Sequence, residues 1–159
     1  MAYPGTERLK DEARAAHTAV IDTIREVVIG FDGCVEPDYW EDITEAGNIN
    51  AQVIEKIRSS DFGLCYFSEP VNGGESQFAD NPNVLFEAGM MQALNNSPGA
   101  RLGGWMPVRE NASAGVPFDI AAERIVIVPG AEDNSLDKVE FSKRLRLHVE
   151  NLVGDQKRK

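Results

Sequence analysis

An open α/β sheet, mostly parallel and with helices on both faces, is predicted for this 159-residue chain by three observations. Apolar runs of strand length alternate with stretches of helical periodicity, the order expected of strands joined through helices. One run, residues 62–67 (Phe-Gly-Leu-Cys-Tyr-Phe), is continuously apolar and uncharged, as expected for a strand covered on both faces. After one polar loop, that run leads to a strong helix start at Asn81-Pro82, which suits a parallel crossover.

The elements follow in order. Residues 5–28 carry Leu9, Ala13, Ala16, Val20, Ile24 and Val27 at helical spacing and predict a first helix. The Gly-, Pro- and acid-rich stretch 30–47 reads as a loop, with a short strand near Cys34 and Val35. Residues 48–60 predict a second helix with Ile49, Val53, Ile54 and Ile57 facing inward. Residues 62–67 are expected to form an interior strand, and 71–80 a loop. Asn81 is a good N-cap for the next helix, and Pro82 suits its first position, where a missing N–H costs nothing. The residues from Val84 to Leu94 leave almost no polar face, so this helix is expected to be buried on most sides. Residues 102–108 and 124–128 predict two more strands, separated by a turn-rich segment containing Pro117, Phe118 and Asp119. An amphipathic helix over 135–153, with Val139, Leu145, Leu147 and Leu152 as apolar positions, comes last, and the basic end at 157–159 reads as a frayed tip. Right-handed crossovers then give a sheet of flavodoxin type.

Composition narrows the function classes. The length suits a single domain over residues 1–159, and 42% hydrophobic residues can fill a core. With 26 acidic against 16 basic residues the net charge is −10, which opposes binding to a nucleic-acid backbone. Two cysteines, Cys34 and Cys65, indicate neither a disulfide framework nor a metal site. There is no membrane-length apolar run and no signal pattern, so the expectation is a cytoplasmic protein without a membrane partner. His17, His148 and Cys65 read as structural rather than catalytic, and Trp105 as core. Tyr39 and Trp40 suit either loop packing or stacking on a base. Asn72-Gly-Gly74 lacks the lysine and spacing of a phosphate loop.

Glu87 carries the chemistry. It is one carboxylate in the early turns of an apolar helix, and burying an unpartnered carboxylate is costly. It is therefore either half of a buried ion pair, for which Arg101 and Arg124 are candidate partners, or a group lining a cleft. Ligands of open α/β sheets bind beyond the carboxyl ends of strands. The strand over 62–67 would deliver Ser68 to that edge, and the next helix would bring Asp80, Asn81, Asn83 and Glu87 beside it. Asn83 lies one helical turn before Glu87, and Gly89 would permit close approach of a ligand or of backbone.

Residues 46–61 (Ala-Gly-Asn-Ile through Ser-Ser-Asp), the following strand and Asn81-Pro-Asn-Val-Leu-Phe-Glu-Ala-Gly89 resemble the TIR-like and nucleoside 2-deoxyribosyltransferase-like superfamily. Val116-Pro-Phe-Asp-Ile120 also looks like a segment of TIR-like predicted nucleotide-binding proteins, and the resemblance spans roughly residues 46–130. It implies that Glu87 is the catalytic carboxylate of an N-glycosidic cleavage, with Ser68, Asp80, Asn81, Asn83 and Asp119 as ligand-binding candidates. The family opens with an apolar first strand, whereas Met1 to Pro4 looks like only the last turn of one.

Cleaving a ribosyl–nitrogen bond builds positive charge at the anomeric carbon, which one carboxylate can stabilise or capture. A cationic nicotinamide leaves unaided, whereas a neutral base needs a second, protonated group, for which Asp61, Asp80 and Asp119 are candidates. Three readings follow, in order. The first is an NAD glycohydrolase of TIR-like type, acting as a defence or stress effector. The second is a nucleoside 2-deoxyribosyltransferase or hydrolase. The third is a non-catalytic nucleotide-binding or assembly module. All take a small nucleotide or nucleoside as partner, allow a homo-oligomer, and call for no cofactor or metal beyond NAD as a substrate.

Overall fold

A computed structural model of the protein describes residues 1, 3, 11–31, 38–39, 49–70, 78–95, 97–99, 101–110, 125–129 and 136–156. Its elements are α1 (Asp11–Ile29), α2 (Ile49–Ser59), β1 (Gly63–Tyr66), β2 (Ser68–Pro70), β3 (Phe78–Asp80), α3 (Pro82–Asn95), β4 (Trp105–Glu110), β5 (Val126–Val128) and α4 (Lys138–Gln156). The described strands form a three-stranded parallel sheet in the order β1-β4-β5 and an antiparallel hairpin, β2–β3. Gly63 is opposite Trp105, and Val108 is opposite Val126. Pro107 is tolerated in the central strand because pairing with β5 begins only at Val108, so its absent N–H leaves no bond of that ladder unmade.

Helices cover both faces, as expected of a flavodoxin-like sheet. Leu64 and Tyr66 of β1, with Met106 and Val108 of β4, pack on α1 (Val20, Ile24, Val27) and α4 (Phe141, Leu145, Val149). Cys65, with neighbouring Phe67 and Trp105, packs the other way, on Ile57 of α2 and Val84, Ala88 and Met91 of α3. This alternation is the two-residue period of a strand, and it makes β1 a wall shared by two cores. Trp105 and Cys65 are core residues.

β1 is an outer strand of the three described strands and is buried throughout. Several sequence expectations need correction. Residues 78–80, expected in a loop, pair with 68–70 as the return strand of a hairpin. Helix α3 is not buried on most sides: Phe86 is 62% exposed, and the buried residues are Val84, Ala88 and Met91. In α4, Val139 and Leu147 face outward, and the buried stripe is Phe141, Leu145 and Val149, spaced four apart. The strand expected near Cys34 and Val35 lies outside the described residues.

Capping sets where two helices begin. The Asn81 Oδ1 accepts from the backbone N–H groups of Asn83 and Val84 at 2.9 and 3.2 Å, and Pro82 takes the first helical position. Asp137 caps α4 in the same way, accepting from the Glu140 N–H at 3.0 Å. The Asn81 N–H also donates to the Phe67 carbonyl at 2.9 Å, which fixes the start of α3 at the carboxyl end of β1. From there α3 runs back over β1, and a Cβ at Gly63 would collide with the Met91 thioether. The contact is with the end of a flexible side chain, so a larger residue at 63 would require Met91 to shift.

Candidate functional site

Glu87 lines a small, half-open pocket with a cavity volume of about 40 Å³, on the side of β1 where α2 and α3 meet. Met91 of α3, Val53, Lys56 and Ile57 of α2, and Phe62 and Gly63 at the start of β1 form much of the wall. Met1, Asp38 and Tyr39 close another side. The Met1 amino group donates to the Asp38 carbonyl at 2.6 Å, and Lys56 pairs with the Asp38 carboxylate. The Arg25 guanidinium stacks 4.7 Å from the centre of the Tyr39 ring and donates to the Tyr3 hydroxyl at 2.6 Å, tying residues 3 and 39 to α1.

Among the described residues Glu87 forms neither a hydrogen bond nor an ion pair. Arg101, one candidate partner, instead grips Asp61 through two bonds of 2.8 and 3.0 Å at the surface, and Arg124 lies outside the described residues. Burial raises the Glu87 carboxyl above its ordinary value, and the Met1 ammonium partly offsets this. Cys65, behind the pocket wall, contacts the Met91 sulfur at 3.4 Å, and burial raises its thiol far above the thiolate range. Among the described residues, the space beside Gly89 is open.

The remaining site candidates gather elsewhere, at the carboxyl ends of β1 and β4. Ser68 is fully buried, and its Oγ accepts the Glu110 N–H at 2.7 Å. Asp80 pairs with the buried Arg109 guanidinium at 3.0 and 3.2 Å. Asn81 caps α3 and donates to Glu69 at 2.7 Å, while Asn83 is exposed. Asp119 and Trp40 lie outside the described residues. None of Ser68, Asp80, Asn81 or Asn83 lines the Glu87 pocket, so the expected convergence on one crevice is not what these residues form. The reason is geometric. Glu87 sits five residues into α3, roughly 7–8 Å along its axis, and the helix runs away from the carboxyl edge.

Sequence reasoning missed Glu110. It ends β4, is 8% exposed, and accepts the Tyr66 hydroxyl at 3.1 Å. Burial raises its carboxyl to about 7, with the Tyr66 bond opposing the shift. On the same face the buried His17 ring lies 5.1 Å from the Tyr66 ring. The available signal was position: Arg109-Glu110 directly follows a strand-like run, at the end where α/β sheets carry their chemistry. Among the described residues no group of three His, Cys, Asp or Glu side chains is placed to hold a metal, and no helix is long and apolar enough to cross a membrane. Compared with family models, curated proteins and solved structures, the chain matches none.

Proposed function

We propose that this domain cleaves the N-glycosidic bond of a nucleotide, most simply as an NAD glycohydrolase, with Glu87 as the catalytic carboxylate. One observation carries the reading: Glu87 lines a pocket, half-buried and unpaired among the described residues, where a structural carboxylate would be expected to hold a partner. As the C1′–N bond breaks, its electron pair leaves with the nicotinamide nitrogen and neutralises the pyridinium. Positive charge grows on the ribosyl carbon, and Glu87 stabilises it. Water then adds to C1′ and releases one proton.

A cationic leaving group needs no general acid, and the other pocket carboxylate, Asp38, pairs with Lys56. A deoxyribosyltransferase or hydrolase acting on a neutral base would need a protonated group beside Glu87 and is the second reading. A nucleotide-binding module without turnover gains support from Glu87 facing the α2–α3 side of β1 instead of the carboxyl edge.

Incubation with NAD and a panel of nucleosides, followed by chromatography for free base, separates the three. Glu87→Gln preserves shape and removes charge, so turnover should fall by about two to three orders of magnitude. Nucleotide affinity and the unfolding midpoint should change little, because a poorly solvated charge is removed. No released base from any nucleotide, or a Glu87→Gln protein with unchanged turnover, refutes the catalytic reading.

A further inference from the structure

We infer that Lys56 is the anion-reading residue of the Glu87 pocket and that the ligand taken there carries a phosphate on its ribose. The ribose rests on the glycosidic reading above; the anion rests on the pocket alone. Lys56 from α2 and Glu87 from α3 line the same pocket, together with Met1 and Asp38. The pocket thus places one side-chain cation among two carboxylates.

The Lys56–Asp38 pair is exchangeable. Its side chains are 32% and 44% exposed, and ion pairs this open to water contribute little to stability. A phosphate offers more acceptor oxygens and more charge than a carboxylate, so it can take the ammonium from Asp38. An unphosphorylated nucleoside leaves Lys56 on Asp38. The plainer account is that Lys56 only fastens residues 38–39 to α2 and faces the helix carboxyl terminus favourably. The two accounts differ in the sign of one substitution. If Asp38 merely fastens, Asp38→Asn weakens the fold and does nothing for a ligand. If Asp38 competes with an incoming phosphate, the same change strengthens binding.

The test titrates the full chain, by calorimetry, with nicotinamide mononucleotide and AMP against nicotinamide riboside and adenosine. Each phosphorylated member should bind about tenfold to a hundredfold more tightly than its partner, the scale of one charged hydrogen bond. Lys56→Met should abolish that difference, Lys56→Arg should retain most of it, and Asp38→Asn should tighten phosphate binding several-fold. Equal affinity within each pair, no binding of any member, or a Lys56→Met protein that folds and keeps the phosphate preference overturns the inference. Base release is scored separately. Phosphate-dependent binding without release leaves Lys56 in its role and removes the glycosidic reading. Equal release from phosphorylated and unphosphorylated substrates does the reverse.

Discussion

Burial pushes the Glu110 carboxyl up to about 7 against the opposing Tyr66 bond, and that has a measurable cost. In the unfolded chain its carboxyl titrates near the ordinary 4.5, whereas in the fold it titrates near 7. Between these values the folded state binds the extra proton, so stability falls as pH rises through the window and levels off above it. The slope approaches about 1.4 kcal/mol per pH unit for a single group. Urea unfolding from pH 4.5 to 7.5 should show this decline, and Glu110→Gln should flatten it. An unchanged slope in the variant would assign the decline to other carboxyls, Glu87 first among them, since burial raises it in the same direction. At this scale the sequence was partly legible. Asn81 could be read as a cap because capping is local, and Glu87 as an unusual carboxylate because its neighbours are apolar. Glu110 and Arg109 were hidden because their partners, Tyr66 and Asp80, are distant in sequence.

Among elements, α4 offers the sharpest contrast. Phe141 is fully buried between α1 and the sheet, whereas Val139, two residues earlier, is 82% exposed. Phe141→Ala should cost about 3–5 kcal/mol through lost burial and a residual cavity. Val139→Ala should stay within about 0.5 kcal/mol, as surface changes usually do. Denaturant midpoints check both, and comparable losses would mean that α4 presents a different face to the core. Apolar residues alone do not fix that face, since α4 carries them at exposed positions as well as on the buried stripe. The β2–β3 hairpin escaped notice because the chain joining its three-residue strands reads as Gly/Asn/Ser loop, and short strands leave little period-two signal. Helix α3 was placed correctly in sequence but not in orientation. Its direction over β1, fixed at one end by the Asn81 bond to Phe67, carries Glu87 away from the carboxyl edge.

At the scale of the whole molecule, alternating helices and strands were enough to foresee a parallel sheet with helices on both faces, because that layering follows from where apolar residues must go. The order of the described strands was not readable, since β1 is buried on both faces wherever it stands. The Glu87 pocket draws its walls from Met1, Asp38, Tyr39, the end of α2, the start of β1, α3 and Leu102. No short piece of chain contains it, so closing it requires long loops to be already formed. Occupancy and folding are consequently linked: a ligand of this pocket binds the folded chain alone. At a hundredfold excess over its dissociation constant it adds about 2.7 kcal/mol to global stability, a rise of roughly 5–10 °C in melting temperature for a chain of this size. A thermal scan across small anions and nucleotides therefore reports on the pocket before any reaction is known.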